Sequence, residues 1–275
     1  MGRLLLPSTL PALTLALWAC TNSGAPGSSY ITQAALSADV HTIAADSMRG
    51  RLVGTRENAE AGDWISARFK SLGLVPAGDS GFVQHFDMDW FTLGSGNRLT
   101  IAGAGGARET GKDWTPASFA ASASASGSVV YAGYGIVEPH LGWDDYQGQD
   151  VRGKVVLVLD GEPGANDPAS PFDGLVASEP GRSWRKAVAA TKKGAAAILF
   201  VRRDTSSSPD AWTRINAAAW PLQRRRIERF LLADGINDIT IPAAEISVEL
   251  ASALVQGSGR TFAELAQAAE DTKHG

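Results

Sequence analysis

Two apolar, β-branched runs, Val129 to Tyr131 and Val155 to Leu159, constrain the fold most strongly. A loop of Gly, Pro, Asp, Trp and Tyr joins them, and Gly153-Lys154 launches the second. Short apolar runs bounded by turn residues read as buried strands. Ser183 to Lys193 follows with a helical pattern, Gly194 is placed as its C-cap, and Ala195 to Val201 is a third apolar run. A strand, a helix and a strand in succession make a crossover unit, so the fold class is α/β. A chain of 275 residues, 44% apolar and 20% charged, has ample material for such a core. Its single cysteine rules out an internal disulfide, so stability rests on the core alone.

The flanking segments add helices and turns. Ser37 is a candidate cap for a helix through Asp46, with Val40, Ile43 and Ala44 on one side. A second helix, from about Asn58 to Leu72, sets Ala61, Ile65, Phe69 and Leu72 at helical spacing, and Gly73 is placed to end it in a left-handed cap. The chain then turns at Pro76-Ala77-Gly78-Asp79. Gly103 to Gly106 lacks the strand-to-helix context of a phosphate cradle and reads as a hairpin turn. The small-residue tract Ala120 to Ser126 reads as a surface connection, and Gly164 to Pro171 and Thr205 to Pro209 as loops. Ile239 to Val248 predicts a short apolar segment before a helix near Glu249. Thr261 with Glu264 is a capping-box signature for a last helix, Phe262 to Asp271.

At the N-terminus, Arg3 precedes an apolar run, Leu4 to Ala16, which ends at Leu17-Trp18-Ala19-Cys20. This is the pattern of a secretory signal, too short for a comfortable membrane span. Leu17 and Ala19 before Cys20 resemble the bacterial lipobox, which implies that Cys20 is lipidated and becomes the mature N-terminus; an ordinary cleaved signal with a stray cysteine is the alternative. Thr21 to Ser29 reads as a flexible tether. The net charge of −4, from 25 basic and 29 acidic side chains, argues against a nucleic-acid surface.

Gly133-Tyr134-Gly135, Trp143-Asp144-Asp145-Tyr146 and Asp150-Val151-Arg152-Gly153-Lys154-Val155-Val156 together resemble the protease-associated (PA) domain inserted in bacterial zinc aminopeptidases, the M-twenty-eight metallopeptidases. Gly50-Arg51, Gly54, Phe69, Leu72-Gly73-Leu74-Val75-Pro76, Gln84 and Phe86 resemble the N-terminal lead-in of the same family. The resemblance covers about Ala35 to Leu265. It implies a PA-type domain, with a mixed sheet and flanking helices, behind a short helical lead-in. The expected divisions are a signal at 1–19, a tether at 20–34, the lead-in at 35–84, the PA-like domain at 85–248, and C-terminal helices at 249–275 that begin a missing catalytic domain.

In that family two metal ions are held by two His and several carboxylates, including a His-x-Asp motif after the PA insert and a Glu-Glu pair. This sequence has no Glu-Glu pair, and beyond the PA-like region its only histidine is His274. The one His-x-Asp is His85-Phe86-Asp87, with Asp89 two residues on; a strand would put all three on one face. The alternative is an amphipathic strand with Phe86, Met88 and Trp90 buried. His140 with Asp144, Asp145 and Asp150 is a second group of potential ligands, but its spacing is not that of a calcium loop. Its aspartates also suit backbone capping. No Gly-x-Ser-x-Gly elbow is present, and His41, near Asp39 and Asp46, reads as a structural helix residue. Arg224-Arg225-Arg226 and Arg229 read as a solvated helix face with Ile227, Phe230 and Leu231 inward and Trp212 and Trp220 packed beneath. The sharper alternative for these arginines is a contact with an acidic domain or an anionic lipid headgroup.

These observations predict no catalytic and no metal-binding residues within the chain, with Cys20 as a lipidation site. Zinc is expected only where a catalytic domain is supplied. The expected protein is an exported, membrane-anchored lipoprotein of the bacterial envelope, carrying the non-catalytic part of a zinc-aminopeptidase-like protein. Its partners would be peptides or a peptidase catalytic domain, and the membrane through the lipid. The alternative is a stand-alone PA-domain lipoprotein that binds peptides or an envelope protein.

Overall fold

A computed structural model describes residues 31–89, 91–102, 106–174, 176–203, 209–221 and 231–270. The signal, Cys20 and the tether lie outside these residues. So do the tip of the 103–106 turn, the Arg224-to-Phe230 run, Trp90 and His274. The chain divides into two units, Met1–Gln84 and His85–Gly275.

The first unit is built on two helices, α1 (Gln33–Ile43) and α2 (Arg56–Ser71). Thr32, not Ser37, caps α1, its hydroxyl accepting from the Ala35 amide at 3.1 Å. The expected run to Asp46 breaks at Ala44, and Asp46–Met48 is a separate 3-10 turn. Thr55 likewise caps α2, whose first residue, Arg56, lies two positions ahead of the expected start. The end at Gly73 is as expected: φ is +73°, Leu74 N–H donates to Phe69 C=O at 3.2 Å, and Gly73 N–H donates to Lys70 C=O at 3.1 Å. These two bonds are the Schellman pattern that satisfies the last carbonyls of a helix. Arg68 meets Asp39 at 3.3 Å, joining the helices, and Phe82 packs edge-on against Phe69. Only Ala61 of α2 is buried, and Val40 of α1 is 61% exposed.

In the second unit the strands are β1 (Met88–Asp89), β2 (Trp114–Pro116), β3 (Val129–Tyr131), β4 (Val137–Glu138), β5 (Trp143–Asp144), β6 (Val155–Leu159), β7 (Ala197–Val201), β8 (Leu231–Leu232) and β9 (Ala243–Ile246). Its helices are α3 (Ser183–Lys192), α4 (Pro209–Ala219), α5 (Ala233–Ile236), α6 (Val248–Val255) and α7 (Phe262–Ala269). Five strands form one mixed sheet in the order β2-β9-β7-β6-β3. β3, β6, β7 and β9 are parallel, and β2 closes one edge antiparallel to β9. Pro116, which has no N–H to give a ladder, sits in that edge strand. β4 and β5 form a small hairpin, and β1 pairs with β8.

Strand alternation sorts the core into two layers. Leu157, Leu159, Leu199, Val201 and Ile246 face α6 and α7, where Leu250, Ala251, Val255, Phe262 and Ala266 are buried. Val156, Val158, Ile198 and Phe200 face the other way, against Ala187 and Ala190 of α3 and Ile236 of α5. Helices thus cover both faces of an α/β sheet, and α6 and α7 belong to this body. α3 ends as expected at Gly194, with φ +80° and the same two-bond cap, Ala195 N–H to Ala190 C=O at 3.0 Å and Gly194 N–H to Thr191 C=O at 2.9 Å. The Thr261–Glu264 capping box is formed on α7, which stops at Ala269 rather than Asp271.

Candidate functional site

The histidine-and-aspartate candidates are not assembled into a site. His85 and Asp87 lie outside any strand, and the expected strand is confined to Met88–Asp89. Phe86, buried in the amphipathic-strand reading, is 65% exposed. His41 stands in the last turn of α1. In the second group, Asp144 accepts from the Tyr146 amide at 2.9 Å and pairs with Lys193 at 2.6 Å. Asp145 accepts from the Ile136 amide at 2.8 Å and the Trp143 indole at 3.0 Å. Asp150 caps the Arg152 amide at 3.2 Å, and His140 lies in an exposed 3-10 turn. Burial lifts the Asp145 carboxyl above its ordinary pKa, although the Ile136 and Trp143 donors oppose the rise. No three His, Cys, Asp or Glu side chains gather into a possible metal site among the described residues. The donor set described here therefore does not fit a zinc centre, which needs three or four converging ligands.

Open α/β sheets place ligand sites at the carboxyl ends of their parallel strands. Here that rim is formed by Gly133-Tyr134-Gly135 after β3, Asp160-Gly161-Glu162 after β6, and Arg202-Arg203 after β7. Three polar clusters occupy it, and sequence reading found none of them.

The first is centred on Lys186 of α3, which is 1% exposed. Its ammonium donates to the carbonyls of Leu159, at 3.0 Å, and Gly161, and stands 5.4 Å from the centre of the Tyr134 ring. Burial pulls its pKa down to about 8, against the opposing pull of Asp160, Asp145 and Glu162. The lysine thus ties α3 to the turn that leaves β6. In the second cluster, Glu162, buried, accepts from the Ser178 amide at 3.0 Å and from the Ser178 hydroxyl.

In the third, the Tyr134 hydroxyl donates to Glu270 at 2.6 Å, while Arg203 donates to both, also at 2.6 Å. The Gly164 amide approaches the other Glu270 oxygen at 3.4 Å. Burial would raise the Glu270 carboxyl, but the Tyr134 and Arg203 donors outweigh it and hold its pKa below the ordinary value. Burial, helped by the bond to Glu270, pushes the Tyr134 phenol well above its usual range. With the bond from the Tyr131 hydroxyl to Leu265 C=O, this network fastens α7 to the sheet.

One pair on this rim has the spacing of a reactive centre. Ser183 and Lys186 stand three apart at the start of α3, as in the Ser-x-x-Lys motif of some serine acyl-transfer enzymes. That spacing was the one available sequence signal for Lys186. The geometry is not that of a nucleophile and its base. The Ser183 hydroxyl donates to Asp160 at 2.9 Å, and the lysine is turned onto backbone carbonyls. The rim groups are bonded to one another, which holds the loops in place.

The motif residues around these clusters also do structural work. Gly135 has φ +71°, and a Cβ there would meet Val158 Cγ1 at 2.7 Å and the Tyr146 hydroxyl at 3.2 Å. That buried hydroxyl has no hydrogen-bond partner among the described residues. Trp143 packs edge-on to Phe172 at 4.9 Å in the α6/α7 layer. Trp212 of α4 is fully buried, and the Trp220 indole donates to Pro116 C=O at 3.0 Å.

No protein-family model matches this chain, and no curated protein matches it. Among solved structures, an aminopeptidase from Aneurinibacillus sp. strain AM-1 aligns over 82% of the chain with 15% identity and a TM-score of 0.36. The chain spans 42% of that enzyme's length.

Proposed function

We propose that this chain is the non-catalytic, PA-type accessory part of a bacterial zinc-aminopeptidase-like lipoprotein, in which hydrolysis of peptides belongs to a catalytic domain outside these residues. The observation that carries this reading is the use made of the candidate carboxylates. Asp144, Asp145, Glu162 and Glu270 are each bonded to amides, hydroxyls or cations of the same fold. A carboxylate engaged in this way shapes loops, whereas a zinc ligand or a general base keeps an oxygen free for metal or substrate. The Gly-Tyr-Gly and Trp-Asp-Asp-Tyr motifs that resemble the PA domain lie among these structural bonds. In the same proposal, export and lipidation of Cys20 hold the protein on the envelope membrane, and zinc is a cofactor of the catalytic domain alone.

The test is turnover. Purified chain, given zinc and chromogenic aminoacyl substrates, is expected to be inert. Hydrolysis that a chelator abolishes and zinc restores would overturn the proposal.

A further inference from the structure

The two edges of the five-stranded sheet are finished differently, and the β2 edge is closed by the chain's own fold. Ser247 N–H donates to Asp113 C=O at 2.9 Å and Ala117 N–H to Ala243 C=O at 3.0 Å, so residues 113, 115 and 117 turn toward β9. Ladder alternation then points the backbone groups of Trp114 and Pro116 outward. Trp114 C=O accepts from the Gly111 amide at 2.8 Å, and Pro116 C=O accepts from the Trp220 indole at 3.0 Å. Pro116 itself has no N–H to offer. Such devices keep a free edge from pairing with another chain.

β3, at the other end of the strand order, carries none of them. Val155 N–H donates to Ser128 C=O and Ala132 N–H to Leu157 C=O, both at 3.0 Å, so residues 128, 130 and 132 turn toward β6. By the same alternation the N–H and C=O of Val129 and Tyr131 point away from the sheet. Among the described residues no strand pairs with that side, and no turn or loop bond reaches those groups. Side chains do not guard the edge either. From Trp114 to Val137 the sequence has no charged residue, and residues 122–128, which lead into the strand, are exposed Ala, Ser and Gly.

We propose that a second copy of this chain covers this edge, β3 pairing antiparallel with β3 across a two-fold axis at Val130. Val129 of each copy faces Tyr131 of the other, and each of these hydrogen-bonded pairs exchanges two bonds, which satisfies every outward group of both strands. Val130 faces its own copy on the axis, in the non-hydrogen-bonded position. The pairing joins the two sheets into one. A copy supplies the required spacing by symmetry, and only an uncharged edge admits it, since like charges directly opposite one another would oppose the pairing. Gly133, with φ +53°, takes the chain out of the strand and limits the seam to this short ladder. The dimer is accordingly reversible.

The assignment goes beyond the accessory role and does not depend on it. A monomeric chain would leave the aminopeptidase reading standing, and zinc-dependent turnover would leave the dimer standing.

The experiment places a single thiol on the axis. In the full chain carrying Cys20→Ser and Val130→Cys, the two Cα atoms of the axial pair stand about 4.5 Å apart, within disulfide reach, and mild oxidation should give a covalent dimer. Ser128→Cys in the same background is the control. Its position is more exposed, but its two copies lie about 13 Å apart along the seam, so it should crosslink at least about tenfold more slowly. Association through any other surface would not favour 130 over 128. On the unaltered chain, which needs no substitution to fold, the Val129 and Tyr131 amides should exchange hydrogen more slowly as concentration rises from about 1 μM to about 1 mM, and the Val130 amide, already turned to β6, should not. Val129→Pro removes one donor from each pair and should weaken dimerisation in sedimentation at least about tenfold, or about 1.4 kcal/mol. A chain still monomeric at about 1 mM, crosslinking at 128 as fast as at 130, exchange at 129 and 131 that ignores concentration, or undiminished dimerisation of Val129→Pro would each overturn the proposal.

Discussion

Replacing Lys186 with Met should change how stability depends on pH. The folded ammonium titrates at about 8 and the ordinary value is 10.5. Between those values an unfolded chain keeps a proton that the folded chain has released, so stability rises with pH across the interval. The full interval corresponds to roughly 3 kcal/mol. Above about pH 10 the trend reverses, because burial raises the phenols of Tyr131, Tyr134 and Tyr146. The folded state then holds protons that the unfolded chain loses. The native chain should therefore be most stable near pH 10. Lys186→Met removes the rise and keeps the fall. At pH 7 the substitution should be close to neutral: the Leu159 and Gly161 carbonyls lose a donor, at about 1–3 kcal/mol, while a buried charge of similar cost is removed. By pH 10 the variant should trail the native chain by about 2–3 kcal/mol, a shift of about 1 M or more in the urea midpoint. Urea unfolding followed by tryptophan fluorescence at a series of pH values from neutral to about 10 reads this directly. Parallel curves for the two proteins would refute the reasoning, since the lysine would then be as well solvated folded as unfolded.

Gly135→Ala and Gly142→Ala separate backbone strain from crowding. Both glycines have positive φ, +71° and +66°, but only at Gly135 would a new methyl strike a neighbour, Val158. Gly142→Ala should lose about 1 kcal/mol and Gly135→Ala about 3, and equal urea midpoints would mean that Val158 yields freely. Glu270→Gln should lower stability by about 1 kcal/mol at pH 7 and flatten the acid limb. The depressed Glu270 pKa contributes stability above the ordinary value of 4.5, which is lost as pH falls through the folded value. Thermal melts from pH 7 downward that keep identical acid limbs in both proteins would contradict the Tyr134–Arg203–Glu270 network.

Local signals were legible where local physics sets the structure. The apolar run of β6, the glycine caps at 73 and 194, and the Thr261–Glu264 box depend on a few adjacent residues, and each stands as read. The start of α1 differs from the expected one because Ser37 is by residue type the better cap, and nothing local to the sequence shows that Thr32 takes that place. β2 and α4 were not anticipated. β2 is three residues long and is a strand only by virtue of β9, and α4 is fixed through Thr115, whose hydroxyl donates to Asn216 at 2.7 Å. Glu270 gives no sign of its role and Lys186 none beyond its spacing from Ser183, because a charged residue at helical spacing looks the same whether it is solvated or buried. What distinguishes them is the turns after β3, β6 and β7 brought over them by the sheet.

The strand order also dictates when the sheet can be finished. β3, β6, β7 and β9 can be laid side by side as they leave the ribosome, each next to its predecessor. Trp114–Pro116 has to wait, since its partner β9 lies about 130 positions further along the chain. Until β9 is made, the flank of β7 stays open to pairing with another molecule, and Trp114, later buried, has no sheet to cover it. The β2–β9 closure is thus the late, long-loop step of folding, and the nascent chain is most vulnerable to misassembly just before it.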